Sequence, residues 1–82
     1  MDRDAAYGAS GAVSRWFINY RQQWIAQHLA TQKRINRQNL MLMFDISMPQ
    51  ASQDIQLYIQ NHPGAVVYDY SAKTYRAATH QP

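Results

Sequence analysis

Four glutamines, Gln50, Gln53, Gln56 and Gln60, recur within fifteen residues of a chain otherwise poor in reactive groups. A glutamine amide donates and accepts at once, so it pairs bidentately with N6 and N7 of adenine in the major groove of duplex DNA. At about 100° per residue the four gather on one side of a helix, while Met48, Ala51, Ile55, Tyr58 and Ile59 fall on the other. Asp54 is the single acid, at the edge of the amide stripe. A solvated surface helix usually carries Lys and Glu, so an amide face fits base reading. An uncharged solvated face is the plain alternative.

The elements that must hold this stripe follow from capping signals. Ser47 is an N-cap, Pro49 sits in the first turn where its missing N–H is harmless, and Gln50 stands three residues after the serine as in a capping box. The preceding helix starts behind Asn36, runs through Arg37-Gln38-Asn39 into the apolar block Leu40 to Phe44, and breaks at Asp45-Ile46. Asn36 to Asn61 therefore has the form of a helix-turn-helix. Upstream, 12–30 reads as a long helix whose Val13, Trp16, Phe17, Tyr20 and Trp24 make one aromatic face, expected to be buried. Ile18 and Ile25 lie off that stripe, either at the core edge or at a partner contact. Thr31 to Ile35 reads as a polar connection.

His62-Pro63-Gly64 stops the recognition helix. Beyond it, Ala65 to Asp69, a turn at Tyr70 to Lys73, and Thr74 to Ala77 form a hairpin, with Val66 and Tyr68 facing inward by alternation. The expected fold is α+β, mainly α: a winged helix-turn-helix of three helices and a two-stranded β-hairpin wing over 12–77. A flexible lead-in (1–11) and a tail or linker (78–82) flank it.

Composition narrows the function classes. With 82 residues and no cysteine, one small domain must rely on its 46% apolar residues, without disulfides or Cys-based zinc. No apolar run approaches a membrane span and no secretory leader is recognisable, so a cytoplasmic setting is expected. The net charge is only +3, yet 5–44 hold Arg15, Arg21, Lys33, Arg34 and Arg37 without an acid, which favours a polyanion. His28, His62 and His80 lack ligand spacing and the five aspartates are dispersed, so no metal site is inferred. Ser47, Ser52 and Ser71 read as cap, helix and turn residues with no base set against them, and the GASG fragment lacks the P-loop lysine. Neither catalysis, nor a cofactor, nor a small-molecule ligand is expected within this domain.

Arg34-Ile35-Asn36-Arg37, Phe44 to Ser52 (FDISMPQAS), Pro63-Gly64 and Tyr68 to Tyr75 (YDYSAKTY) occur in that order. Their combination resembles the N-terminal winged helix-turn-helix of bacterial WYL-domain transcription regulators, a group that includes repressors of anti-phage defence islands. The resemblance spans roughly Trp16 to Pro82. It implies the DNA-binding module of a dimeric repressor, with Gln50, Ser52 and Gln53 at the front of the recognition helix, Arg37 at the start of the preceding helix and Lys73 in the wing. Family members usually have Gly where Asp45 stands and often Lys or Arg where Tyr70 stands. In the family a ligand-sensing WYL domain and a dimerisation segment follow.

The expected partner is double-stranded DNA, bound by a homodimer. Gln50, Ser52 and Gln53 are expected to read base edges, with Gln53 foremost. Lys33, Arg34, Arg37, Lys73 and Arg76 are expected on phosphates, and Asn36, Gln38, Ser47, Met48 and Tyr75 beside them. A protein-interaction module built on the same scaffold, and single-strand binding through Tyr70 and Tyr75, are the alternatives.

Overall fold

A computed structural model describes the backbone of residues 3–78 and the side chains of 12–78. The elements run α1 (Arg3–Gln32), β1 (Arg34–Ile35), α2 (Arg37–Phe44), α3 (Met48–Asn61), β2 (Val66–Asp69) and β3 (Thr74–Ala77). This is a winged helix-turn-helix. Two boundaries depart from expectation. The first helix begins at Arg3, so 3–11 are helical despite two glycines, each costing about 1 kcal/mol relative to alanine. The connection after it contributes a third strand: β1 pairs antiparallel with β3, giving the sheet order β1-β3-β2.

Local chemistry explains the helix-turn-helix. Asn36 accepts from the Asn39 N–H at 3.0 Å while the Asn39 side chain accepts from the Asn36 N–H at 2.8 Å, a reciprocal box that caps α2. Ser47 accepts from the Gln50 N–H at 3.3 Å, but the Gln50 side chain does not complete the expected box; it turns to Asp54 instead. Between the helices Asp45 is left-handed at φ 54°, as a helix C-cap requires. Three further left-handed residues, Lys33, Gly64 and Lys73, stand between α1 and β1, α3 and β2, and β2 and β3. Each lets the chain turn back onto the core.

That core is built from Ile25, Leu29, Ile35, Leu40, Ala51, Ile55 and Tyr58. The expected burial of the aromatic stripe is therefore corrected: Val13, Trp16, Phe17 and Tyr20 are 49–59% exposed, and only Trp24 is partly covered. The buried face of α1 is the line through Arg21, Gln22, Ile25 and Leu29, roughly a third of a turn away. Its two polar members conceal it from a hydrophobicity pattern. Arg21 Nε donates to Asp54 Oδ2 at 2.6 Å and its terminal nitrogen to Oδ1 at 3.2 Å. Gln50 donates to the same carboxylate at 3.0 Å, and Gln22 to the Asp54 backbone carbonyl at 2.8 Å. Asp54, expected at the edge of the polar stripe, is 2% exposed.

Ile25 is core and Ile18 is half-buried beside Gln50, Gln53 and Leu57, so both belong to the α1–α3 seam. Because the ion pair is desolvated, removing one member strands the other charge. Asp54→Ala should lower unfolding free energy by about 3–5 kcal/mol. In urea titrations the midpoint should fall with the slope unchanged; a loss below about 1 kcal/mol would show the pair to behave as a surface bridge.

Candidate nucleic-acid interface

An open groove of about 630 Å³ runs between the helix-turn-helix and the wing. Its walls come from separate parts of the chain: Asn36, Arg37 and Gln38 at the start of α2, Met48 and Gln56 on α3, and Tyr68, Tyr70, Lys73 and Tyr75 in the wing. Arg37 reaches Ser52 at 3.4 Å, tying the start of α2 to α3, and Gln56 reaches the Tyr75 hydroxyl at 3.5 Å, tying α3 to the wing. Met48, Ser52 and Gln56 follow one another at i, i+4 and i+8, the spacing of a single helical ridge.

Strand register decides which wing residues join the groove. Ile35, Tyr75 and Tyr68 are successive cross-strand partners and so share the sheet face that carries the core. Tyr68 was expected to point inward. It is on that face but lies beyond the edge of the core, 36% exposed, with its ring 4.8 Å from both Tyr70 and Tyr75. Arg34 and Arg76 are paired one residue out of phase with this set, so they occupy the opposite face. There they line a second depression with Lys33, Asp69 and Thr74.

The expected site residues therefore divide. Asn36, Arg37, Gln38, Met48, Ser52, Lys73 and Tyr75 come together around the groove, whereas Lys33, Arg34 and Arg76 are gathered behind the wing. Arg76 is further engaged by Asp69 at 2.8 Å, and Arg21, counted in the basic stretch, is consumed by Asp54. Ser47 is exposed and capping. Gln50 is half-buried and its Nε2 is tied to Asp54, so it is less available to a base than an exposed amide. Gln53 is exposed on the outer face of α3. Gln56, Tyr68 and Tyr70 were missed as groove residues. The four-residue spacing from Ser52 to Gln56 would have disclosed the first.

Asp69 shapes the wing tip. Its Oδ1 accepts from the Ser71 hydroxyl at 2.7 Å, the Ser71 N–H at 3.0 Å and the Ala72 N–H at 3.1 Å, closing the turn that presents Lys73. The Ser71 hydroxyl, then Arg76, then the Ala72 N–H hold this carboxyl well below the usual carboxylate range. Because the folded pKa is the lower one, its contribution is complete above the unfolded value of about 3.9 and is lost as pH falls through the folded value. A carbon-detected NMR titration should find Asp69 still ionised at about pH 3, and Ser71→Ala should move its midpoint upward. An ordinary midpoint in the unaltered chain would show that the turn is not closed in this way.

With this geometry in view, the comparisons with known proteins are specific. Residues 13–81 match the BrxR transcriptional regulator winged helix-turn-helix domain. A DNA-binding transcriptional repressor CapW from Stenotrophomonas maltophilia is 46% identical over 63 residues, covering 77% of this chain and 21% of the relative. CapW repressors from Escherichia coli strain KTE188 and Pseudomonas aeruginosa are 38% and 39% identical, covering 92% and 93% of this chain. The chain spans 21–25% of the length of these relatives. Its match over most of its length and the agreement in architecture make it a member of the BrxR-type winged helix-turn-helix family of transcriptional regulators.

Proposed function

We propose that this chain binds double-stranded DNA in a sequence-dependent manner, as the operator-reading domain of a transcriptional repressor acting in the cytoplasm. The observation that carries this reading is the convergence of Arg37, the Ser52–Gln56 ridge of α3 and the wing's Lys73 on one groove. A major groove about 12 Å wide admits a single helix. With α3 inserted, Gln53 on its outer face meets base edges, Ser52 and Gln56 lie on the wing side, and Arg37 and Lys73 flank the duplex at the phosphates. The family membership and the relatives named as DNA-binding repressors support the same reading.

Lys73 adds a physical argument. It is left-handed at φ 55°, a conformation that costs a residue with a side chain about 1–2 kcal/mol and a glycine nothing. Lys33 is left-handed too but lies behind the wing, so it is the placement of Lys73 in the groove that supports a role for its charge there. Lys73→Gly should therefore leave unfolding stability unchanged or higher while weakening binding to every duplex. Equal affinity in the variant would remove the wing from the interface.

Selection from random duplexes followed by sequencing supplies the cognate site. On that site Gln53→Ala should cost about 1–3 kcal/mol and leave random-duplex affinity nearly intact. Arg37→Ala should weaken all sequences and reduce the salt slope by about 1, whereas Arg34→Ala, behind the wing, should leave the slope unchanged. Failure to enrich any sequence, or equal losses for Gln53→Ala on cognate and random DNA, would overturn base reading by this helix.

A further inference from the structure

We infer that the face of the wing sheet turned away from the groove holds a small ligand carrying two linked phosphates. The site is a trough made of two adjoining depressions, of about 360 and 430 Å³. Gln32 at the end of α1, Arg34 on β1, Ala72 in the wing turn and Thr74 on β3 line both, so the two run together across Arg34. One end is bounded by His28, Asn36 and Asn39, the other by Lys33, Asp69 and Arg76.

The trough is rich in donors and short of acceptors. Asn36 and Asn39 commit their side-chain oxygens to the reciprocal cap of α2, at 3.0 and 2.8 Å, so their NH2 groups are left without a partner among the described residues. The single acid, Asp69, already accepts from Ser71, Ala72 and Arg76. Lys33 and Arg34 form no ion pair among the described residues. The missing complement is a group that carries negative charge and accepts several hydrogen bonds at once, and a phosphate does so through three oxygens.

Strand register supplies an independent argument. Arg34 and Arg76 are direct cross-strand partners. Like charges opposite one another on neighbouring strands are destabilising, and Asp69 offsets only one of them, 2.8 Å from Arg76. An anion beside Arg34 relieves the repulsion, and a guanidinium fork takes phosphate oxygens two at a time. Each depression has donors of its own, the asparagine amides in one and Lys33 with Arg76 in the other, while Arg34 lines both. That division fits one phosphate in each. A duplex is the poorer fit, because a stiff rod seated in the groove between α3 and the wing does not reach the opposite face of the sheet. The inference is independent of the duplex reading above.

Amide NMR of the 82-residue chain, titrated with inorganic pyrophosphate and separately with ADP, tests it. The Arg34, Asn39, Ala72 and Thr74 signals should move saturably, beyond the effect of chloride at matched ionic strength, and the midpoint of thermal unfolding should rise. Arg34→Gln should weaken binding of the probe by at least about tenfold. Without a probe, the same variant should unfold at an unchanged or higher temperature, because the cross-strand repulsion is gone; a purely structural role for Arg34 predicts the reverse. Lys33 has φ 68°, which glycine adopts freely, so Lys33→Gly should weaken binding at retained fold even where Arg34→Gln folds poorly. A response to ADP identifies an organic diphosphate as the source, and a response to pyrophosphate alone an inorganic one; either upholds the site. Shifts that fail to saturate, that chloride reproduces, that gather at Arg37 and Lys73, or that survive both variants overturn it. So does a response of these amides to duplex DNA alone, which makes the back of the wing a polyanion contact instead.

Discussion

The ion pair between Arg21 and Asp54 sets the relation of α1 to α3, and with it the direction in which α3 points. Two charges with side chains 11% and 2% exposed sit between these helices. Desolvation of this kind is offset only when the geometry is good and the remaining hydrogen-bonding capacity is used. Here Arg21 approaches with two nitrogens, Gln50 occupies a further carboxylate site, and Gln22 holds the backbone carbonyl of the same residue. An apolar seam tolerates sliding, because apolar contact is not directional. A two-pronged guanidinium–carboxylate contact has one register. It fixes the rotation of α3 about its own axis, so that Met48 and Gln56 face the groove and Ser52 meets Arg37.

The opposite wall depends on backbone geometry. Lys33 ends α1 in a left-handed conformation, and its carbonyl accepts from the Ala77 N–H at 2.9 Å, which starts the pairing of β1 with β3. Thr74, buried, donates its hydroxyl to the Ile35 carbonyl at 3.1 Å. The wing is thereby fastened to the strand that leads directly into the cap of α2. Arg37 and Lys73, 36 residues apart in sequence, reach the same groove because β3 lies beside β1. A free two-stranded hairpin is marginal in water, and the third strand removes that weakness at the end nearest the core.

Much of the helix-turn-helix was legible because its signals are local. Asn36, Ser47, Pro49 and His62-Pro63-Gly64 act within one turn of chain, and the observed α2 and α3 begin and end where these residues require. The left-handed Asp45 falls at the turn between α2 and α3, where the sequence reading placed the helix break. Beyond that range, legibility fails for a definable reason. Arg21 and Gln22 look like solvent-facing residues until Asp54 is placed opposite them, 33 and 32 positions along the chain. The pattern followed the largest side chains, Trp16, Phe17 and Tyr20, and assigned burial to the face that is exposed. The site shows the same limit. Residue types identified Arg34, Arg37, Lys73 and Arg76 as cations near a recognition helix, but the one-residue phase of β1 against β3 places two of them behind the sheet.

The amide stripe shows how such long-range pairing changes the meaning of a residue. Gln50, Gln53 and Gln56 carry the same group within two turns of α3, yet each has a different surrounding. Gln50 donates to Asp54 and forms part of the lock on α1. Gln56 leans toward Tyr75 and forms part of the seam with the wing. Gln53, between them and exposed, has no hydrogen-bonding partner among the described residues. An amide already satisfied inside the protein gains little by exchanging that bond for one to a base, because the group left behind must then be desolvated alone. An amide solvated in the free protein exchanges water for a base edge without stranding a neighbour. On the proposed duplex reading, base discrimination would therefore fall on Gln53 rather than on the two glutamines already engaged within the fold.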